Sequence, residues 1–172
     1  LPEGSRLLAM LDALPSLAFI ADADAVIIEA NRSARQWLGD RAGRQLGLPA
    51  GAVLQCIFPR DSRGDCGTTE FCPSCVLRQS IAAAAAGRPA PRRLAHMIVG
   101  AAGQPEDRWF QVSASPLALG DRNLVLVVLE DATQLVELRE LLPLCLGCGA
   151  SRESADLLAQ ARVFLRKHPD FL

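Results

Sequence analysis

The chain has 172 residues, 50% of them hydrophobic, and a net charge of −1. That length suits one domain with an appendage, and the charge balance argues against an electrostatic nucleic-acid binder, which would show a clustered basic face. A spanning helix needs about 18 uncharged residues, and no apolar run approaches that, Leu124 to Leu129 being among the longest.

Leu1 stands where a start methionine would, so the chain reads as a piece of something longer, and no signal peptide is visible. Six cysteines suit either a secreted disulfide framework or an intracellular metal site. Four of them crowd into one loop, whereas disulfides usually join distant segments, and the length supports a core without staples. The expected compartment is therefore reducing and cytoplasmic.

Ser5 to Leu14 carries Leu7, Leu8, Leu11 and Leu14 at helical spacing, with Ser5 as a cap and Pro15 as a stop. An N-terminal helix over residues 1–15 follows. Leu17 to Ala30 is a hairpin turning on Asp22-Ala23-Asp24-Ala25, where aspartates favour the turn and need no calcium. Asn31 opens a short helix through Trp37 and Leu38, and Gly39 closes it. Gln45 to Phe58 reads as a loop with an apolar segment.

The stretch Cys56 to Cys75 has the spacing Cys-x9-Cys-x5-Cys-x2-Cys. Thiolates are soft ligands suited to zinc, copper(I) and iron–sulfur clusters. Cys56, Cys66, Cys72 and Cys75 are thus the candidate ligands of one centre. Cys72-Pro73-Ser74-Cys75 is expected to open a helix through Ala86, placing Cys72 at the positive end of a macrodipole that lowers thiol pKa values. Gly64 and Gly67 would let amides approach the sulfurs, and Arg60, Arg63 and Arg78 would offset negative charge.

Three strands fill the remainder: Arg92 to Val99, Asp107 to Leu117 and Asn123 to Glu130. In the second, Phe110, Val112 and Ala114 alternate with Trp109, Gln111, Ser113 and Ser115, as in a half-buried strand. The third is nearly continuous apolar and should be central. His96 reads as an ordinary strand histidine, Trp37 and Trp109 as packing, and Glu130 and Asp131 point to opposite strand faces, a poor acid/base pair. Thr133 to Leu142 is amphipathic, with Leu135, Leu138 and Leu142 at seam spacing. It serves signal exit or dimer contact, or else folds back on its own sheet.

The order helix, strand, aspartate turn, strand, Asn-capped helix and Leu-Gly, together with Glu130-Asp131-Ala132-Thr133 at the far end, resembles a PAS domain. The resemblance spans about residues 10 to 142. It implies an α+β fold: a five-stranded antiparallel sheet with helices on one face and a ligand pocket between. The division is then a PAS sensor domain over 16–132, with its four-cysteine loop at 56–75, and an output helix and tail over 133–172. The cysteine loop is similar to that of a group of cysteine-bearing PAS domains in bacterial sensor kinases, with Asp65-Cys66-Gly67 in place of their Gly-Cys-Gly. The tail, with Cys145, Cys148 and His168, resembles a small cysteine module that follows some bacterial PAS domains, but lacks its second Cys-x-x-Cys. Two thiols alone do not complete a zinc tetrahedron.

Three occupants of the main loop stay open. The spacing lies one residue from the plant-ferredoxin arrangement of three close thiolates and one remote, which favours an iron–sulfur cluster. Structural zinc usually joins two short knuckles, and only one is present. A thiol oxidoreductase using Cys72 and Cys75 would need a strand feeding Cys72 within a βαβ unit. Haem and flavin are disfavoured: Val76 to Ala86 contains no axial histidine, and Leu54 to Phe58 lacks the Asn and Arg of the flavin loop. The sequence therefore reads as a regulatory sensor of redox poise, oxygen or nitric oxide, not itself an enzyme. Its expected partners are a second copy through the terminal helices and a downstream output such as a histidine kinase.

Overall fold

The computed structural model describes residues 3–39, 42–58, 65–100, 105–141 and 157–169. It divides into two compact units, Leu1–Asp131 and Ala132–Leu172. Among the described residues no helix is long and apolar enough to cross a membrane.

The first unit begins with α1 (Glu3–Asp12), then the strands β1 (Leu17–Ala21) and β2 (Ile27–Ala30). The aspartate turn is made within the chain: Asp22 Oδ1 accepts from the N–H groups of Asp24 at 3.0 Å and Val26 at 2.9 Å. Helix α2 (Arg32–Leu38) starts at Asn31 and stops at Gly39, whose φ of 65° is costly for a residue with a Cβ. Asn31 is fully buried. Its Oδ1 accepts from Ala34 N and Ala18 N, and its Nδ2 donates to the carbonyls of Leu11, Leu14 and Ser16. One side chain therefore joins the end of α1, the start of β1 and the cap of α2. Beside it Asp12 pairs with Arg35 at 2.9 Å.

The expected loop from Gln45 to Phe58 contains structure that its composition concealed. Short helix α4 (Ala50–Val53) lies there and α3 (Ala42–Gln45) runs into its start, each of a single turn. A sequence window this short carries no helical period, so only tertiary packing selects it.

Cys72 to Ala86 is also corrected. Cys72–Ser74 form a 3₁₀ turn, Cys75 is extended at ψ 115°, and α5 (Val76–Ala85) starts only after it. Pro73, without an N–H, suits the short turn, and the extended Cys75 breaks it from the helix. Cys75, not Cys72, is thus the cap residue of α5.

Strands β3 (Ala90–Val99), β4 (Glu106–Leu119) and β5 (Arg122–Asp131) complete a five-stranded antiparallel sheet in the order β2-β1-β5-β4-β3. Beta-3 starts earlier than expected, with a register shift between Ala90 and Arg93 where Pro91 offers no ladder donor. Beta-5 is central, as its apolar run required. Its Val125, Val127 and Leu129 face the main core with Phe19, Ile81, Phe110 and Val112. Its other face turns Leu124 toward Leu11 of α1, with Ala18 and Ile20. A strand covered on both faces has no polar positions to alternate. In β4 Phe110, Val112 and Ala114 are buried in alternation, as expected.

Glu130 and Asp131 are occupied by surface pairs with Arg92 and Arg108. The second unit holds α6 (Thr133–Leu141) and α7 (Leu157–Lys167). Within it Glu137 accepts from Lys167 Nζ and, at 2.6 Å, from His168 Nε2. Cys145, Cys148, Leu142, Arg60, Arg63 and Gly64 lie outside the described residues.

Candidate functional site

Cys56, Cys66, Cys72 and Cys75 line one cavity of about 190 Å³. Its floor is Ala50 and Gly51 of α4, one wall is Ala95 and Met97 of β3, and the start of α5 closes another side. Phe58 and Phe71 stack at a centroid distance of 4.3 Å and also line it.

Each cysteine is brought there by a different device. Cys56 leaves α4 through Gln55, whose φ of 56° is rare for a side-chain-bearing residue. The Cys56 N–H donates to Gly51 O at 2.7 Å, and Cys56 bridges Val99 at the end of β3. Cys66 packs directly over Gly51: a Cβ there would stand 2.7 Å from its Sγ. Cys72 is the buried member, and its sulfur sits 3.0 Å from Gly67 N and 3.1 Å from Thr69 Oγ1. Cys75 holds the N-terminus of α5.

The electrostatics set Cys72 apart from Cys56. Burial acts to raise Cys72, yet the Thr69 hydroxyl, the N–H groups of Gly67 and Thr69, and the Arg78 charge bring it below the ordinary thiol value. The helix dipole expected to do this is displaced by a local nest of donors. Burial raises Cys56; a Phe58 backbone hydrogen bond opposes the shift, and the neighbouring Cys75, Cys66 and Cys72 add to it. The other three thiols are therefore close enough for their charge to act on Cys56. None of them is in a disulfide.

The cavity brings together all four cysteines singled out by spacing. Of the expected auxiliaries, Gly67 does present its amide to a sulfur, and Arg78 Nη1 stands 3.8 Å from Cys66 Sγ. Gly51, Thr69 and Met97 were not anticipated. Thr69 lies three residues before Cys72 on a tight turn, a spacing that could have flagged it; Gly51 and Met97 are far in sequence and gave no signal. Met97 adds a soft thioether to the lining. Among the described residues, no three His, Cys, Asp or Glu side chains are drawn together tightly enough to hold a metal ion as they stand. The donor chemistry fits a thiophilic centre; the arrangement is open rather than closed on one ion.

His96 is exposed, with Nε2 2.7 Å from Asp107 Oδ1 and its ring stacked on Trp109, and it also lines the cysteine cavity beside Ala95 and Met97. Between α4, α5 and the sheet, the space lined by Phe19, Ile27, Val53, Leu77, Val127 and Leu129 measures only about 10 Å³. That volume scarcely admits one water.

The model of the PAS fold matches residues 11–137. Among solved structures, an RNA-binding light-oxygen-voltage receptor is similar at 21% identity and TM-score 0.54, over 81% of this chain and 37% of that one. A PAS domain from Colwellia psychrerythraea is similar at 16% identity and TM-score 0.51, over 76% of this chain and 97% of that one. The PAS domain of the nitrogen regulation protein NR(II) from Vibrio parahaemolyticus follows at 17% identity and TM-score 0.48, over 73% and 96%. No curated protein matches the chain.

Proposed function

The chain belongs to the PAS fold family over residues 11–137, and we propose that it is a sensory module whose ligand is held by the thiolates of Cys56, Cys66, Cys72 and Cys75. An iron–sulfur cluster is the occupant favoured, with redox poise, oxygen or nitric oxide as the signal. The observation that carries this reading is the convergence of the four thiols on one cavity of about 190 Å³.

A tetrahedral zinc with Zn–S of about 2.3 Å holds its sulfurs within about 4 Å of one another, and as they stand the four thiols do not close on one ion. The donors directed at the sulfurs, Gly67 N–H, Thr69 Oγ1 and Arg78, are of the kind that set cluster potentials. When bound, the cluster supplies one-electron chemistry and reactivity toward oxygen and nitric oxide.

The chain's own part is to hold the loop and pass on its state. Cys56 bridges Val99, so movement of the loop bears on the end of β3. Beta-3 pairs with β4, and β4 with β5, which runs on in sequence to α6. Such a route is a signal only if the loop has two states that ligand and output both bias. The output, such as a histidine kinase, and a homodimer through terminal helices belong to the same proposal.

Two rival readings have their own outcomes. A structural zinc would serve docking or dimerisation, and a thiol–disulfide exchange between Cys72 and Cys75 is supported by the lowered Cys72 thiol. Anaerobic purification with iron, sulfide and zinc analysis separates them. Brown protein with iron and sulfide upholds the cluster, and colourless protein with one zinc per chain replaces it. Neither metal, with exchange activity lost in Cys72→Ser, favours the dithiol. Full metal content in Cys66→Ser would break the proposed ligand set.

A further inference from the structure

We propose that Arg78 is the resident counter-charge of the cysteine cavity and governs how tightly the cavity retains a polyanionic thiolate centre; this rests on the reading of the cavity as a thiolate ligand site. Arg78 is the third residue of α5. A cation in the first turn of a helix opposes the macrodipole, so its placement needs another partner.

The geometry supplies one. A Cβ built on Gly67 would meet Cζ, Nη1 and Nη2 of Arg78 all at 3.0 Å. Three atoms of a planar group equidistant from one point means that the guanidinium lies face-on across the Cys66–Gly67 turn. Any side chain at residue 67 would displace it, and the φ of +108° already demands glycine there. From this seat Nη1 reaches 3.8 Å from Cys66 Sγ.

Several other cations among the described residues are matched to carboxylates. Arg35 pairs with Asp12 and Glu29, Arg92 with Glu130, Arg108 with Glu106 and Asp131, and Lys167 with Glu137. Among the described residues no carboxylate pairs with Arg78, which also lines the cavity. Four thiolates around a divalent centre leave a net negative charge, and in a half-buried cavity that charge is poorly screened by water. A planar cation fixed against the turn offsets it without taking a ligand position. Outer residues that orient and polarise ligands typically change metal affinity 10–100-fold.

The test uses the full chain, reduced and metal-free, with Co²⁺ as probe through its thiolate charge-transfer absorbance, and N-ethylmaleimide as a metal-independent probe. Arg78→Met should weaken Co²⁺ binding about 10–100-fold and slow modification of Cys66 several-fold. Arg78→Lys, which keeps the charge and loses the planar fork, should recover part of both. Arg92→Met, which removes a cation remote from the cavity lining, should leave both unchanged, and thermal unfolding checks that each variant is folded. Wild-type Co²⁺ affinity in folded Arg78→Met overturns the inference, as does an equal loss in Arg92→Met. If the parent chain itself shows no thiolate–cobalt band, the ligand-site reading fails. Maleimide rates then decide for Arg78 alone: slowed modification of Cys66 in Arg78→Met upholds its role as counter-charge, and an unchanged rate overturns it.

Discussion

The Cα of Gly51 faces the sulfur of Cys66 across a gap with no room for a methyl group: a Cβ on residue 51 would stand 2.7 Å from Sγ and 3.0 Å from the Cys66 Cβ. The two residues come from separate segments, one from α4 and one from the turn before the 3₁₀ step. A helix backbone is thus the floor against which one thiol is positioned.

Gly51→Ala sets two effects against each other. Alanine in a helix gains up to about 1 kcal/mol over glycine, while forcing a side chain into a packed contact costs about 1–3 kcal/mol. Thermal unfolding should show a modest net loss of stability. Under the ligand set proposed above, metal content after anaerobic purification should fall far more, because Cys66 is displaced. Unchanged metal content would show that Cys66 has room to move without consequence.

Asn31→Ala removes a buried hub. The amides of Ala18 and Ala34 lose their acceptor, and the carbonyls of Leu11, Leu14 and Ser16 lose their donor. Each orphaned buried group costs about 1–3 kcal/mol, with water reaching some of them, so urea unfolding should register a loss of about 3–5 kcal/mol. Asn31→Asp keeps the acceptor but directs a second carboxylate oxygen at three carbonyls, and should be destabilised as well. A loss under about 1 kcal/mol in either variant would contradict the hub.

Thr69→Val isolates the hydroxyl beside Cys72, a buried threonine 3.1 Å from the sulfur. Cys72 has a lowered pKa, so its thiolate persists to lower pH in the folded chain than in the unfolded one. Removing the hydroxyl takes away about 1 kcal/mol of that preference. The pH midpoint for alkylation of Cys72 in metal-free protein should therefore move up, and a midpoint that stays in place counts against the hydroxyl's role.

Glu137 links the helices of the second unit and carries a pH dependence of defined sign. Burial acts to raise its pKa, but hydrogen bonds from Lys167 and His168 and their charges bring it below the usual glutamate range. A depressed carboxyl stabilises above its unfolded value and loses that contribution as pH falls through its folded value. Protection of the α6 amides against hydrogen exchange should be full at neutral pH and fade in acid, below the ordinary glutamate range. Glu137→Gln should speed exchange at neutral pH by a few-fold, for a pair worth about 1 kcal/mol at a partly exposed site, and change little in acid. Equal protection in both proteins at neutral pH would dismiss the link.

Much of the architecture could be read from local chemistry. The aspartate turn at Asp22, the cap at Asn31, the stop at Gly39 and the unbroken apolar run of β5 each encode their own geometry within a few residues. Alternation in β4 named its buried face before any contact was known. Short helices α3 and α4 were hidden because one turn has no period to detect. The helix start at Cys72 was misplaced because a proline fits a 3₁₀ turn as well as an α-helix, and only the extended Cys75 distinguishes them.

For the candidate site, residue type and spacing along the chain named Cys56, Cys66, Cys72 and Cys75, and the structure places all four on the lining of one cavity. What surrounds those sulfurs was decided only by tertiary structure. Gly51 beneath Cys66, Met97 on the wall, and Arg78 laid flat on Gly67 come from α4, β3 and α5, elements whose meeting is set by how the sheet and helices pack. Sequence separation carries no record of that meeting, because side-chain chemistry acts over a few ångströms of space and not along the chain.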